Sequence, residues 1–335
     1  MRKGNNMAKK LFLSNSQINT YTDCPKKWWL DKQKRLRPNY KGSALLFGSA
    51  IDAAVEHILL KKGGSFHQVF LDNMNNFEVN GKEKNVTNNL LDIRFSAGGI
   101  DESLVEQGAV DEFCADIEID SLEKSEFLEY CKQKRKRRSP LEKTEQKLYN
   151  FIALESLLQK GLMMLDVLDE WIQANVEEVH SVQKKIDIEN MEGDHFIGYL
   201  DFVVTMKSGK KVLIDLKTSS NTTKYYPPES ASESRQLGIY AQEEGIRDVA
   251  YLVVDKKIRV REPRVRLAFI EGVITEEHLD EVFDEIEDVT LEIKEKLSEG
   301  EEGFPKNTDS CYNFGGCYLK DYCFNGNMCG LEYVK

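Results

Sequence analysis

Four segments in the second half of the chain carry strand patterns: "EEVHSVQKKIDIE", "HFIGYLDFVVTM", "KKVLIDLKTSS" and "VAYLVVDKK". Each is rich in β-branched or aromatic residues, and polar turn residues bound them. A Lys-Ser-Gly turn separates the middle two and predicts a hairpin. Between the third and fourth, "SESRQLGIYAQEEG" has helical periodicity and a Gly stop. The order β, β, β, α, β predicts an α/β fold, a mixed central β-sheet with a crossover helix. Upstream, "LSNSQINTYTDCPKKWWL" opens a helix with Ser14 or Ser16 as N-cap, and "FGSAIDAAVEHILLKK" predicts a second. From about residue 64 to 145 the pattern weakens into polar, Asn-rich and charged sequence and reads as an insertion. "EKTEQKLYNFIALESLLQKGLMMLDVLDEWIQAN" then predicts one long amphipathic helix or a close pair. "TEEHLDEVFDEIEDVTLEIKEKLSEG" predicts an acidic amphipathic helix that leads into a cysteine-rich tail. The expected divisions are N-terminal helices over 1–63, a helical insertion over 64–175, a sheet core over 176–275, and a helix with its cysteine tail over 276–335.

Within "VLIDLKTSS", strand alternation turns Val212, Ile214 and Leu216 to one face and Asp215 with Lys217 to the other. Asp201, in "GYLDFVV", lies one hairpin away, so adjacent strands bring two carboxylates within the span of one hard cation. Mg²⁺ or Mn²⁺ takes oxygen ligands and keeps waters, so two acids and a backbone carbonyl make a plausible shell. Such a metal lowers the pKa of a bound water and stabilises a phosphodiester transition state, with a neighbouring lysine to position either. An ordinary salt bridge between Asp215 and a basic partner is the plainer use of the same residues. Gln236 and Tyr240 share a helix face four residues apart, and so do Asp52 and Glu56, whose like charges repel unless solvated or bridged by a cation. His57 falls about 140° from the Asp52 face and is expected to be surface or structural.

Composition narrows the setting. The 335 residues are 41% hydrophobic and 31% charged, enough for a substantial core. No stretch approaches a membrane span, and the basic start lacks an apolar signal core, so a cytoplasmic protein is expected. The net charge of −11 argues against a non-specific polyanion coat, although a local basic channel remains compatible with it. "KQKRKRRS" supplies Lys132, Lys134, Arg135, Lys136, Arg137 and Arg138, a run that serves as a solvated loop, a nuclear signal or a set of phosphate contacts. The tryptophans of "KKWWL" are expected in the core rather than stacked on bases. Of seven cysteines, Cys311, Cys317, Cys323 and Cys329 crowd the tail with five residues between successive members, which in a cytosolic chain favours metal ligation over disulfides. Four thiolates suit zinc or an iron–sulfur cluster. No G-x-x-x-x-G-K-(S/T) loop is present, so any motor is a separate chain.

The ordered motifs "GYLD", "IDLKTSS" and "RQLGIYA" resemble the G-x-x-D, (D/E)-x-K and Q-x-x-x-Y motifs of the PD-(D/E)XK nucleases, in their RecB-like branch. "YTDCPKKWWL" is similar to that branch's early cysteine context, and "FPKNTDSCYNFGGCYLKDYC" to the terminal cluster of phage-encoded members; the cysteines also suit a CRISPR-adaptation-like exonuclease. The resemblance covers residues 11–60 and 176–325 and implies a restriction-endonuclease-like core. It implies that Asp201 and Asp215 hold the metal with the Leu216 carbonyl, that Lys217 activates or orients water, and that Gln236 and Tyr240 position DNA or the lysine. Where the family usually has His, this chain has Asp52, which would add negative charge to the metal site. The family pattern joins Cys24 to Cys311, Cys317 and Cys323 around a [4Fe-4S] cluster, leaving Cys329 spare, whereas spacing alone permits a local zinc site. The implied activity is a Mg²⁺- or Mn²⁺-dependent exonuclease acting on DNA ends or single strands in recombination, repair or replication. A separate helicase, recombinase or single-strand-binding protein would be its partner. Other readings are a non-catalytic DNA-end or partner-binding module that keeps the fold, favoured by Asp52, and a zinc-stapled adaptor without nucleic acid.

Overall fold

The computed structural model describes residues 10–95, 100–137, 139–257 and 265–334. Its centre is a mixed sheet of β1 (Phe12–Leu13), β2 (Val176–Glu189), β3 (His195–Met206), β4 (Lys211–Ser219), β5 (Asp248–Asp255) and β6 (Leu267–Val273). β2, β3 and β4 form an antiparallel meander, β4 and β5 pair in parallel, and β6 closes the edge antiparallel to β5. The parallel step is spanned by α7 (Arg235–Glu244), which Ser234 caps by accepting from Leu237 N–H and Gly245 ends in the left-handed conformation at φ 64°. The β, β, β, α, β order read from the pattern is the order observed.

Helices cover both faces. One carries α1 (Asn15–Asp23), α7 and α8 (Glu276–Glu299), packed through Ile18, Leu237 and Leu279 on Leu213, Val249 and Val253 of the sheet. The other carries α2 (Ser43–Leu59) and α6 (Lys143–Asn175), whose Phe47, Ile51, Leu148 and Leu165 meet Ile214, Leu252 and Val254. α6 is a single helix of 33 residues. Its apolar residues are spread round much of its circumference because it also packs the intervening segment: α3 (Phe66–Asn75), α4 (Gln107–Asp116), α5 (Lys124–Lys136) and a hairpin over 76–85. The segment without clear periodicity thus buries Phe70, Met74, Val110 and Phe127 in the same core.

The two ends of the chain meet. Trp28 is 1% exposed and stacks on Phe304, and Lys26 N–H donates to the Pro305 carbonyl at 3.1 Å. Strand 331–333 pairs with 36–38, and α9 (Lys320–Asn325) lies just before it. No helix among the described residues is long and apolar enough to cross a membrane.

Candidate functional site

β3 has two strands on the edge opposite β2. Its pairing with β1 covers His195 and Phe196, and its pairing with β4 runs from Thr205 only to Phe202, opposite Ile214. The stretch between faces a notch where β4 diverges. Asp201 stands at the end of the β4 ladder, one step beyond the Phe202–Ile214 pair and opposite Asp215. Its Oδ2 accepts the Leu216 N–H at 2.7 Å, replacing the carbonyl that a continued ladder would have offered.

The same point exchanges the faces of the sheet. Phe196 and Leu200 pack on the α7 side, whereas Phe202 and Val204 pack on the α2 side. Facing Asp201, Gln183 of β2 takes φ 49°, a conformation costly for any side chain but glycine, and donates from Nε2 to Asp201 Oδ1 at 3.3 Å. Asp201 therefore sits at a kink shared by both strands. Sequence reasoning missed Gln183; the signal available was its register opposite Asp201, which the sequence alone does not set.

On β4 the expected alternation holds. Val212, Ile214 and Leu216 enter the α2-side core, while Asp215, 0% exposed, turns toward α7. Lys217 Nζ contacts Asp215 Oδ2, and Gln236 Nε2 donates to Asp215 Oδ1 at 3.1 Å and lies 3.3 Å from the Tyr240 hydroxyl. Asp215 Oδ2 is buried and takes no well-formed hydrogen bond beyond that ionic contact. Tyr240 lies against Gly198, where a Cβ would stand 2.5 Å from the Tyr240 hydroxyl. The first residue of "GYLD" is thus glycine because the tyrosine of "QLGIY" occupies the space of a side chain.

Asp52 approaches from α2. With Glu56, Gln183, Asp201 and Leu216 it lines a cleft of about 10 Å³, room for a single water or small ion. Lys62 Nζ pairs with Glu56 at 2.7 Å and relieves the like-charge spacing on α2; His57 does not line the cleft. Burial raises the Asp52 carboxyl to about 6, helped by the Asp215 charge and opposed by Lys217. Burial and then Asp215 push Asp201 up to about 8, with Lys217 opposing. Burial works against the Lys217 ammonium, but Asp215 and Asp201 outweigh it and hold that group charged above the usual lysine range. Three carboxylates thus crowd one lysine.

The cysteines divide. Cys24 and Cys311 are buried, Cys317 and Cys323 partly so, and Cys329 is exposed. Burial raises the Cys317 and Cys323 thiols, and both lie near enough to Cys24 and Cys311 to feel their charge. Asn307 N–H points at Cys24 Sγ at 3.5 Å, and Cys311 Sγ at the Asn307 carbonyl at 3.8 Å. Among the described residues, no three His, Cys, Asp or Glu side chains converge closely enough to form a ready-made metal site.

The basic run ends α5. Lys134 is tied to Glu145 at 2.8 Å, Arg135 lies 4.1 Å from the Tyr149 ring centroid, Lys136 and Arg137 are exposed, and Arg138 lies outside the described residues. Lys134 is therefore spent on a structural ion pair, and the Tyr130 hydroxyl donates to the same Glu145 carboxylate.

No curated protein matches the chain. A solved structure, "Crystal structure of SSO0001", is 14% identical over 50% of this chain and 85% of that chain, with a TM-score of 0.27, too loose a superposition to argue from. The family model of the PD-(D/E)XK nuclease superfamily matches residues 13–92 and 109–324. That match takes in the Asp52 helix, the strands of Asp201 and Asp215 and the helix of Gln236 and Tyr240, and the chain belongs to the PD-(D/E)XK nuclease superfamily.

Proposed function

We propose that this nuclease is a Mg²⁺- or Mn²⁺-dependent deoxyribonuclease of the RecB-like, iron–sulfur branch, an exonuclease acting on DNA ends or single strands in recombination, repair or replication. The observation that carries the reading is the pairing of Asp201 with Asp215 across the notch, with Lys217 against Asp215 and Gln236 on its other oxygen.

The donor set suits a hard cation. Asp215 Oδ2 lacks a well-formed hydrogen bond, and the Asp52 and Asp201 carboxyls, raised by burial first, also feel the Asp215 charge, a crowding that a cation would relieve. Asp201 and Asp215 would hold it, with the Leu216 carbonyl and Asp52 as further oxygens. With only those protein ligands, solvent completes the shell. Bound there, Mg²⁺ or Mn²⁺ supplies a lowered pKa for attacking water and neutralises charge on the phosphate. Lys217, held protonated by Asp215, orients the water or the scissile phosphate. Gln236 fixes the Asp215 carboxylate so that the lysine and the acid keep one geometry, and Tyr240 backs Gln236. On α5, Arg135, Lys136 and Arg137 offer phosphate contacts, which Lys134 offers only by leaving Glu145.

Cys24, Cys311, Cys317 and Cys323 would hold a [4Fe-4S] cluster, with zinc as the alternative occupant. Their mutual proximity across 24 and 311–323 and the exposure of Cys329 favour this set over four tail cysteines. Its chemistry would be a staple between the chain ends, reinforcing the Trp28–Phe304 contact.

The test is digestion of end-labelled single- and double-stranded DNA with Mg²⁺ or Mn²⁺, using anaerobically purified wild type beside Asp215→Ala. Metal-dependent cleavage lost in the variant is expected, with polarity read from the products. DNA bound but uncut by both proteins under either metal would sink the catalytic reading and leave a binding module.

A further inference from the structure

The lysine of the site has a second neighbour that none of the sequence motifs includes. Tyr251 of β5 stands opposite Asp215 in the parallel β4–β5 ladder, so both side chains leave the sheet on the α7 face. Its ring centroid lies 6.0 Å from Lys217 Nζ, at the outer limit of a cation–π contact. Lys217 thus touches the Asp215 carboxylate and lies over an aromatic face.

The ring is held from two directions. The Tyr251 hydroxyl is 2.6 Å from Ser234 Oγ in a buried hydrogen bond, and Ser234 is the residue that caps α7 by accepting from Leu237 N–H at 3.1 Å. Tyr226, from the chain between β4 and α7, meets the Tyr251 ring edge-on, with centroids 5.3 Å apart. Burial raises the Tyr226 phenol, Lys217 pulls it down and Asp215 pushes it up, which places that hydroxyl in the same charged neighbourhood. The contacts close a circuit: Asp215 to Lys217, Lys217 to Tyr251, Tyr251 to Ser234, and, two residues along the chain, Gln236 back to Asp215. Packing between β5 and α7 asks only for an apolar side chain, as Val249 and Val253 show on the same strand. A tyrosine anchored through its hydroxyl adds a fixed ring beside the ammonium.

Asp215 Oδ2 gives that ring a use. Gln236 occupies Oδ1, while Oδ2 is buried, contacts Lys217 and has no well-formed hydrogen bond besides. It is therefore the oxygen that Asp215 has left to offer a divalent cation. An ammonium and a divalent cation at one oxygen repel each other. An ammonium displaced from Oδ2 keeps the Tyr251 face as a partner, and that face attracts it without occupying a carboxylate.

We propose that Tyr251 is a positioning residue for Lys217, its ring keeping the ammonium beside the notch when Asp215 Oδ2 is given over to a divalent cation, with Ser234 holding the ring in place. The proposal rests on the divalent-cation reading of the Asp201–Asp215 pair, and Mn²⁺ binding tests it apart from cleavage.

The experiment measures Mn²⁺ binding without DNA, from the loss of the free-ion electron paramagnetic resonance signal at room temperature, and counts the site that Asp215→Ala removes. The proteins are wild type, Tyr251→Phe, Tyr251→Met, Tyr251→Leu, Lys217→Met, and the double variants that join Lys217→Met to Tyr251→Met or to Tyr251→Leu. Lys217→Met is expected to bind Mn²⁺ more tightly, because the competing ammonium is gone. Tyr251→Met should weaken binding about three- to thirtyfold, the range of an aromatic face under a partly desolvated cation, while Tyr251→Phe keeps it within about twofold. In the Lys217→Met background the same Tyr251→Met change should leave the affinity unaltered, an outcome that lost packing would not give. Methionine and leucine fill the place of the ring differently, so a fold lost in one, read by its melting temperature, leaves the other to complete the cycle. Equal weakening with and without Lys217, Tyr251→Phe binding as weakly as Tyr251→Met, or a wild type without such a Mn²⁺ site would overturn the proposal. Digestion of end-labelled DNA by the same proteins separates it from the nuclease reading. Coupling between Lys217 and Tyr251 in a wild type that cuts nothing leaves the tyrosine its role and ends the catalytic reading; cleavage with no coupling does the reverse.

Discussion

Asp52→Asn is expected to stabilise the protein freed of divalent cations, and to do so more at high pH than at low. The Asp52 carboxyl is raised from 3.8 to about 6 by burial, with Asp215 adding and Lys217 opposing. Because the folded value lies above the unfolded one, the acid's contribution is fully present below pH 3.8, where both states are protonated, and is lost as pH rises through 6. A rise of about 2 units corresponds to a penalty of about 3 kcal/mol once the carboxylate must ionise in place. Linkage puts about 1.5 kcal/mol of that penalty at pH 5 and the full 3 kcal/mol by pH 8. The amide removes the charge at nearly constant volume, so the gap between variant and wild type should widen by about 1.5 kcal/mol between those two conditions. At roughly 2 °C per kcal/mol for a chain of this size, the melting temperatures should separate by about 3 °C at pH 5 and 6 °C at pH 8. Thermal melts followed by circular dichroism read this directly. Adding Mg²⁺ or Mn²⁺ should reverse the order at pH 8, since the cation favours the ionised acid of the wild type. A gap that does not change with pH, or a wild type that melts higher at pH 8 without metal, refutes the argument from crowded carboxylates.

Three further perturbations address the supports of the site. Gly198→Ala drives a Cβ to 2.5 Å from the Tyr240 hydroxyl, so it should cost about 1–3 kcal/mol in urea unfolding and lower the cleavage rate by displacing the Tyr240–Gln236 pair; a fully stable, fully active variant would show that the contact is unimportant. Gln183→Gly relieves the φ 49° backbone but removes the donor to Asp201, so stability should stay within about 1 kcal/mol of wild type while cleavage falls about tenfold. Gln183→Val, with a β-branched side chain in the same conformation, should instead lose stability, and equal melting temperatures for the two variants would contradict the strain. Cys24→Ser and Cys317→Ser should each abolish the brown absorbance of anaerobically purified protein, while Cys329→Ser retains it; a colourless wild type with bound zinc would assign the alternative metal, and colour lost in Cys329→Ser would redraw the ligand set.

The cysteines also show how far a linear reading reaches. Cys24 and Cys323 are 299 positions apart in the chain, and the docking of the two chain ends, with Trp28 on Phe304 and Lys26 on Pro305, brings the first cysteine to the tail. The early motif context suggested the partnership through family resemblance; spacing by itself permitted a tail-only site. The insertion was less legible still. It is cut into short elements, and its anchors Phe70, Val110 and Phe127 join the core against other helices, Phe70 edge-on to Phe47 of α2, rather than as faces of a sheet-bound layer.

What the sequence determined alone was local. Alternation put Val212, Ile214 and Leu216 on one side of a strand with Asp215 opposite, and the Lys-Ser-Gly turn fixed the hairpin that brings Asp201 near. The caps at Ser234 and Gly245 bounded the helix carrying Gln236 and Tyr240. What only the tertiary structure decided was where those elements part and what enters between them. The β3–β4 ladder stops at Phe202, Gln183 kinks the neighbouring strand, and α2 delivers Asp52 to the cleft beside Asp201. Periodicity records which face of an element is apolar, because that depends on a few adjacent residues. It carries no record of the partner across a notch, since the energy of that choice resides in contacts between segments far apart in the chain.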